Sequence, residues 1–86
     1  MPKTTDRILT AYHELVYQPG DWVSLTRLRA ALADVPRAEL DAGLRELFMA
    51  DQIKLIGEVN QRSLTSADRA AALVLGGDEK HLYRNY

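Results

Sequence analysis

His13 and His81 are the only histidines in this chain of 86 residues, and it contains no cysteine. Protein ligands to zinc come as closely spaced sets of Cys, His or carboxylate. The two histidines fall on different elements with no ligand spacing between them, so no metal site is expected. Without cysteine there is neither a disulfide nor a thiolate site, which fits a reducing cytoplasm. Ser63, Thr65 and Ser66 have no candidate base beside them, and helix capping explains the last two. Carboxylates are numerous but scattered over polar faces. Gly76-Gly77 lacks the strand before and helix after that make a phosphate cradle, and it reads as a helix stop. A chain of this length builds one small domain, residues 1–86, with little room for a deep pocket. The expectation is a protein that is not an enzyme and carries no cofactor.

The cations are the other chemistry-bearing set. Eleven Lys and Arg stand against twelve Asp and Glu, for a net charge of -1. A domain that attracts nucleic acid by its global charge is basic, so this one would have to rely on a local patch. Arg27 and Arg29 lie on a second helical pattern, and both are expected in solvent. Arg37 and Arg45 lie on a third. Lys54 and Arg62 follow on a strand and a loop. Glu39, Asp41, Glu46 and Asp51 make the third segment acidic. No apolar run approaches the roughly 20 residues that cross a bilayer, and the first residues lack the apolar stretch of a signal peptide, so no membrane role is expected.

Periodicity supplies the elements that position these groups. Ile8, Leu9, Tyr12, Leu15 and Val16 form one helical stripe over residues 5–17, stopped by Pro19-Gly20. A short strand at 22–23 follows, with Trp22 as an anchor. Ser24 caps a helix over 24–33 with Leu25, Leu28 and Leu32 inward. After the turn Ala33-Asp34-Val35, Pro36 opens a helix over 36–50 with Leu40, Leu44, Leu47 and Phe48 inward. Residues 53–59 alternate as a half-buried strand through Ile53, Leu55, Gly57 and Val59. Asn60 to Ser63 is a loop. Thr65 and Asp68 have capping-box spacing, which predicts a helix over 66–75. Asp78-Glu79-Lys80 reads as a charged turn, and 81–86 as a closing strand beginning at His81. The expected core is Ile8, Leu9, Tyr12, Leu15, Val16, Leu28, Leu32, Leu40, Leu44, Leu47, Ile53 and Leu55, with Tyr83 in sheet packing and His13 in solvent.

From Thr5 to Val59 this order resembles a winged helix-turn-helix domain. Val35-Pro36-Arg37-Ala38-Glu39-Leu40 is similar to the entry into a recognition helix. Asp51-Gln52-Ile53-Lys54-Leu55 is similar to the step from that helix into the wing. The resemblance implies an α+β fold: a three-helix core, a small antiparallel sheet and an extra short helix before the last strand. It also implies a small transcription regulator that binds double-stranded DNA, as a homodimer. Arg37 and Arg45 would then read base edges, and Arg27, Arg29, Lys54 and Arg62 would contact phosphates. Residues 60–80 depart from a simple hairpin wing. Either a strand-helix-strand excursion replaces the wing, or the segment packs back onto the domain.

The residues also support a second reading, a protein-interaction module that does not bind DNA. The acidic third helix and the net charge favour it. Ala38, Ala42 and Met49 would be its contact strip, and Arg37 and Arg45 would pair with Asp41 at i,i+4 spacing. If the closing strand is an edge, it can pair with a second copy.

Overall fold

The computed structural model describes residues 3–86. Helix α1 (Thr4–Leu15) buries Ile8, Ala11 and Tyr12. It ends at Leu15, earlier than its stripe predicts, because Val16 turns to an extended conformation. Leu15 and Val16 are therefore only partly buried against the core, as is Leu9, which lies on the flank of the buried stripe. Strand β1 (Val23–Ser24) leads directly into α2 (Leu25–Ala31), whose cap is the Ser24 hydroxyl accepting from the Arg27 N–H. Helix α3 (Arg37–Met49) starts after Pro36 and buries Leu40, Gly43, Leu44 and Leu47. It stops where Asp51 takes a positive φ of 59°. There the N–H groups of Asp51 and Gln52 donate back to Phe48 and Leu47, satisfying carbonyls of the last turn.

Strand β2 (Ile53–Ile56) is shorter than the alternation suggests. Val59, expected inside, is 93% exposed. A 3-10 turn (Gln61–Ser63) precedes α4 (Ser66–Ala71), and the Thr65–Asp68 capping box forms as its spacing predicts. The helix does not run to residue 75. Ala72 turns extended, and Leu73–Leu75 (β3) pairs antiparallel with Asp78–Lys80 (β4). Gly76 and Gly77 both have positive φ, 59° and 87°, as a two-residue type I′ hairpin turn requires. The glycine pair is therefore a hairpin turn rather than a helix stop, and Asp78-Glu79-Lys80 is a strand rather than a charged turn. Burial of Leu73 inside the core, with Val74 outward, imposes the strand period on a run too short to declare itself.

Strand β5 (Leu82–Asn85) lies at the centre of a three-stranded antiparallel sheet, between β1 and β2. It is not an edge, so the expected pairing of this strand with a second copy has no free strand to use. Tyr83 sits opposite both Val23 and Leu55 and is fully buried. Below the sheet, it and the leucines of α2 and α3 make the core.

His81 precedes β5 instead of beginning it. It is buried, its N–H donates to the Ile56 carbonyl at 2.8 Å, and its carbonyl accepts from the Leu25 N–H at 2.9 Å. Its Nδ1 accepts from the Glu58 N–H at 3.1 Å. Gly57 lies beside it, where an added Cβ would meet the Glu79 carbonyl oxygen at 2.9 Å. Gly57→Ala is therefore expected to push β4 away from the end of β2. Amide exchange across 73–80 should rise about tenfold, while that of β2 and β5 holds. Unchanged exchange in the hairpin would show that β4 moves aside at no cost.

Candidate nucleic-acid interface

Helix α3 presents Ala38, Ala42, Arg45 and Met49 to solvent, with Glu39 and Glu46 exposed beside them. Met49 is 77% exposed. The opposite side is held tightly, since Gly43 lets α1 approach so closely that a Cβ there would meet Ile8 Cδ1 at 3.0 Å.

The third acid of the helix, Asp41, is turned inward. Arg29 donates from Nη2 to Asp41 Oδ1 at 2.6 Å and from Nε to the Ala71 carbonyl at 2.7 Å. Arg37 donates from Nη2 to the Ala72 carbonyl at 3.1 Å, and its Nε lies 3.9 Å from Asp41 Oδ2. Asp41 thus turns to Arg29, with Arg37 as a looser i,i+4 partner, rather than to Arg45. Together Arg29 and Arg37 tie the end of α4 to α2 and α3. Arg29 was expected in solvent, but its side chain is only 14% exposed. Closure of α4 over α2 covers it.

The remaining candidates scatter. Arg27 also leaves bulk solvent: its Nη2 donates to the Leu15 carbonyl at 2.5 Å, and its guanidinium lies 4.9 Å from the Tyr17 ring centre. The Lys54 ammonium lies 5.0 Å from the centre of the Tyr86 ring. Arg62 is exposed on the 3-10 turn. The six cations do not form one rim around α3. Arg45 and part of Arg37 stay on that helix, Arg29 is internal, and Arg27 and Lys54 attend tyrosines on another cleft.

Three further arrangements were not apparent from residue type. Arg84 lies 5.3 Å from the Trp22 ring centre and donates from Nη1 to the Gly20 carbonyl at 3.2 Å. The alternation Leu82, Arg84, Tyr86 was the only available signal for it. Arg7 grips Asp34 through two bonds of 2.7 and 2.9 Å, and this contact holds the Asp34 carboxyl below its ordinary range. On the other flank, the Thr26 hydroxyl donates to Asp68 Oδ1 at 2.6 Å. That bond, with the Thr65 N–H, lowers the Asp68 carboxyl too. Its stabilisation of the α2–α4 contact is present above the ordinary carboxylate range. It is lost as pH falls through the lowered pKa.

Among the described residues, no group of three or more His, Asp or Glu is placed to hold a metal ion. No helix there is long and apolar enough to cross a membrane. Compared with protein-family models, curated proteins and solved structures, the chain matches none.

Proposed function

We propose that this chain is a small cytoplasmic regulator, a winged helix-turn-helix domain that binds double-stranded DNA through the outer face of α3. The order α1-β1-α2-α3-β2, with β5 between β1 and β2, supports the fold. A short turn joins α2 to α3, as in a helix-turn-helix pair. The observation that carries the function is the outward strip of α3. Ala38, Ala42, Arg45 and Met49 are exposed between the flanking Glu39 and Glu46, and the third acid, Asp41, is drawn away from them by Arg29. Small side chains let the helix axis approach base edges, and Arg45 can donate two bonds to a guanine. In this reading the hairpin β3–β4, rather than a β2–β5 loop, occupies the place of a wing beside Arg37. A homodimer would supply the second reading helix.

With few free cations, affinity falls only gently with salt, since each neutralised phosphate contributes about -0.9 to the logarithmic slope. Mixed duplex DNA titrated at about 50 and 200 mM salt tests this. Arg45→Ala is expected to weaken binding about tenfold with unchanged melting, in line with the value of one bidentate base contact. Absence of duplex binding at the lower salt would overturn the proposal.

One observation favours the second reading, a protein-interaction module. Met49 is 77% exposed beside Ala42, and adaptable Met surfaces suit protein partners. A stable dimer that Ala42→Arg dissolves, in a chain that ignores DNA, would establish that reading instead.

A further inference from the structure

A second surface lies apart from the outward strip of α3. The end of α1, the turn around Gly20 and the end of β5 enclose a cleft of about 550 Å³. Its lining includes His13, Tyr17, Arg84, Asn85 and Tyr86 and no Asp or Glu side chain. Tyr17 is 86% exposed and Tyr86 70% exposed. Tyr12 forms a fixed wall, because its hydroxyl donates to the Asp21 carbonyl at 2.7 Å and its ring packs edge-on against Tyr83.

Three ring-and-cation pairs each place one member in this lining: Arg27 on Tyr17, Lys54 on Tyr86 and Arg84 on Trp22, at 4.9, 5.0 and 5.3 Å. Lys54 and Arg84 are also direct cross-strand partners on one sheet face. Like charges placed opposite each other destabilise a sheet. Neither has a carboxylate partner among the described residues, so the face is complementary to an anion. Arg84 Nε and Asn85 Oδ1 are shielded from solvent and have no hydrogen-bond partner within the protein. A ligand that moves these side chains could supply one.

We propose that this cleft and the adjoining sheet face bind a segment of single-stranded nucleic acid. A single strand alternates flat bases with phosphates, and this surface alternates flat rings with cations. Stacking on aromatic platforms beside a cationic track is how such strands are held without base readout. A duplex keeps its base faces hidden, and a small aromatic acid brings one ring and one charge to a surface that repeats the pair. The site is independent of the α3 reading and shares no residue with its outward strip.

Trp22, the single tryptophan of the chain, is a built-in probe. The full chain is titrated with a short oligothymidylate, with duplex DNA and with p-hydroxybenzoate, following Trp22 emission. The oligothymidylate is expected to quench it saturably, with affinity falling as salt rises. Tyr86→Ala and Arg84→Gln should each weaken that binding about tenfold, while Arg45→Ala leaves it unchanged. Both tyrosines are exposed, so Tyr17→Ala serves as a second folded variant. Three results overturn the proposal: no oligothymidylate binding, binding insensitive to these substitutions, or saturation by p-hydroxybenzoate alone. Loss of duplex binding in Arg45→Ala with oligothymidylate binding intact would confirm that the two surfaces act separately.

Discussion

Arg29→Ala is expected to destabilise the domain by about 3 kcal/mol, near the lower end for breaking a buried ion pair. The arginine and Asp41 side chains are only 14% and 17% exposed. Removing the guanidinium leaves the Asp41 carboxylate with Arg37 alone, at 3.9 Å. It also leaves the Ala71 carbonyl without the bond of 2.7 Å that ends α4. Both groups then stand partly desolvated and underpaired, which is the costly case. Arg29→Met restores apolar volume but still strands Asp41. Pairing Arg29→Met with Asp41→Leu removes both charges and should recover most of the loss. Urea unfolding reads these differences directly. An unchanged midpoint in Arg29→Ala, together with weaker duplex binding, would make Arg29 a phosphate contact and not a structural tie.

Tyr83→Ala should cost about 3–5 kcal/mol, as truncating a large buried aromatic does. Tyr83 is the central residue of the central strand, opposite Val23 and Leu55, and its ring meets Tyr12 at 5.7 Å between centres. A domain of this size holds only about 5–10 kcal/mol in all, so the variant would lie close to its unfolding limit. Tyr83→Phe is the informative companion. The hydroxyl makes one long bond, 3.4 Å to the Ile8 carbonyl, so its loss should cost about 1 kcal/mol or less at neutral pH. Burial, with a smaller push from Tyr12, raises the Tyr83 phenol well above its ordinary value of 10.0. The unfolded chain releases that proton as pH passes about 10, while the folded chain keeps it. Stability present below that pH is therefore lost as pH rises further. Tyr83→Phe should resist alkaline unfolding better than the parent. Equal losses from neutral to alkaline pH in the two proteins would assign the effect to other groups.

The parts of the fold legible in advance were those encoded locally. The leucines at i, i+4 and i+7 of α3, the Ser24 cap and the Thr65–Asp68 box each depend on neighbours within two turns of helix. The hairpin at Leu73–Lys80 was not legible, because Ala70-Ala71-Ala72-Leu73-Val74-Leu75 continues a helical run as readily as it starts a strand. Its outcome depended on whether Leu73 found a buried place, which is a long-range matter.

The arginines show the same division more sharply. Residue type and spacing alone determined three amphipathic helices, a closing strand, the absence of thiol chemistry and which face of α3 meets solvent. Only the tertiary structure decided what each cation does. The bonds of Arg29 reach partners 12 and 42 residues away, and that of Arg37 reaches one 35 residues away. A guanidinium on a long flexible stem responds to whichever carbonyl or carboxylate the fold brings within reach, and local periodicity carries no information about that choice. For the same reason Trp22, Lys54, Arg84 and Tyr86 became one surface only when β5 entered between β1 and β2.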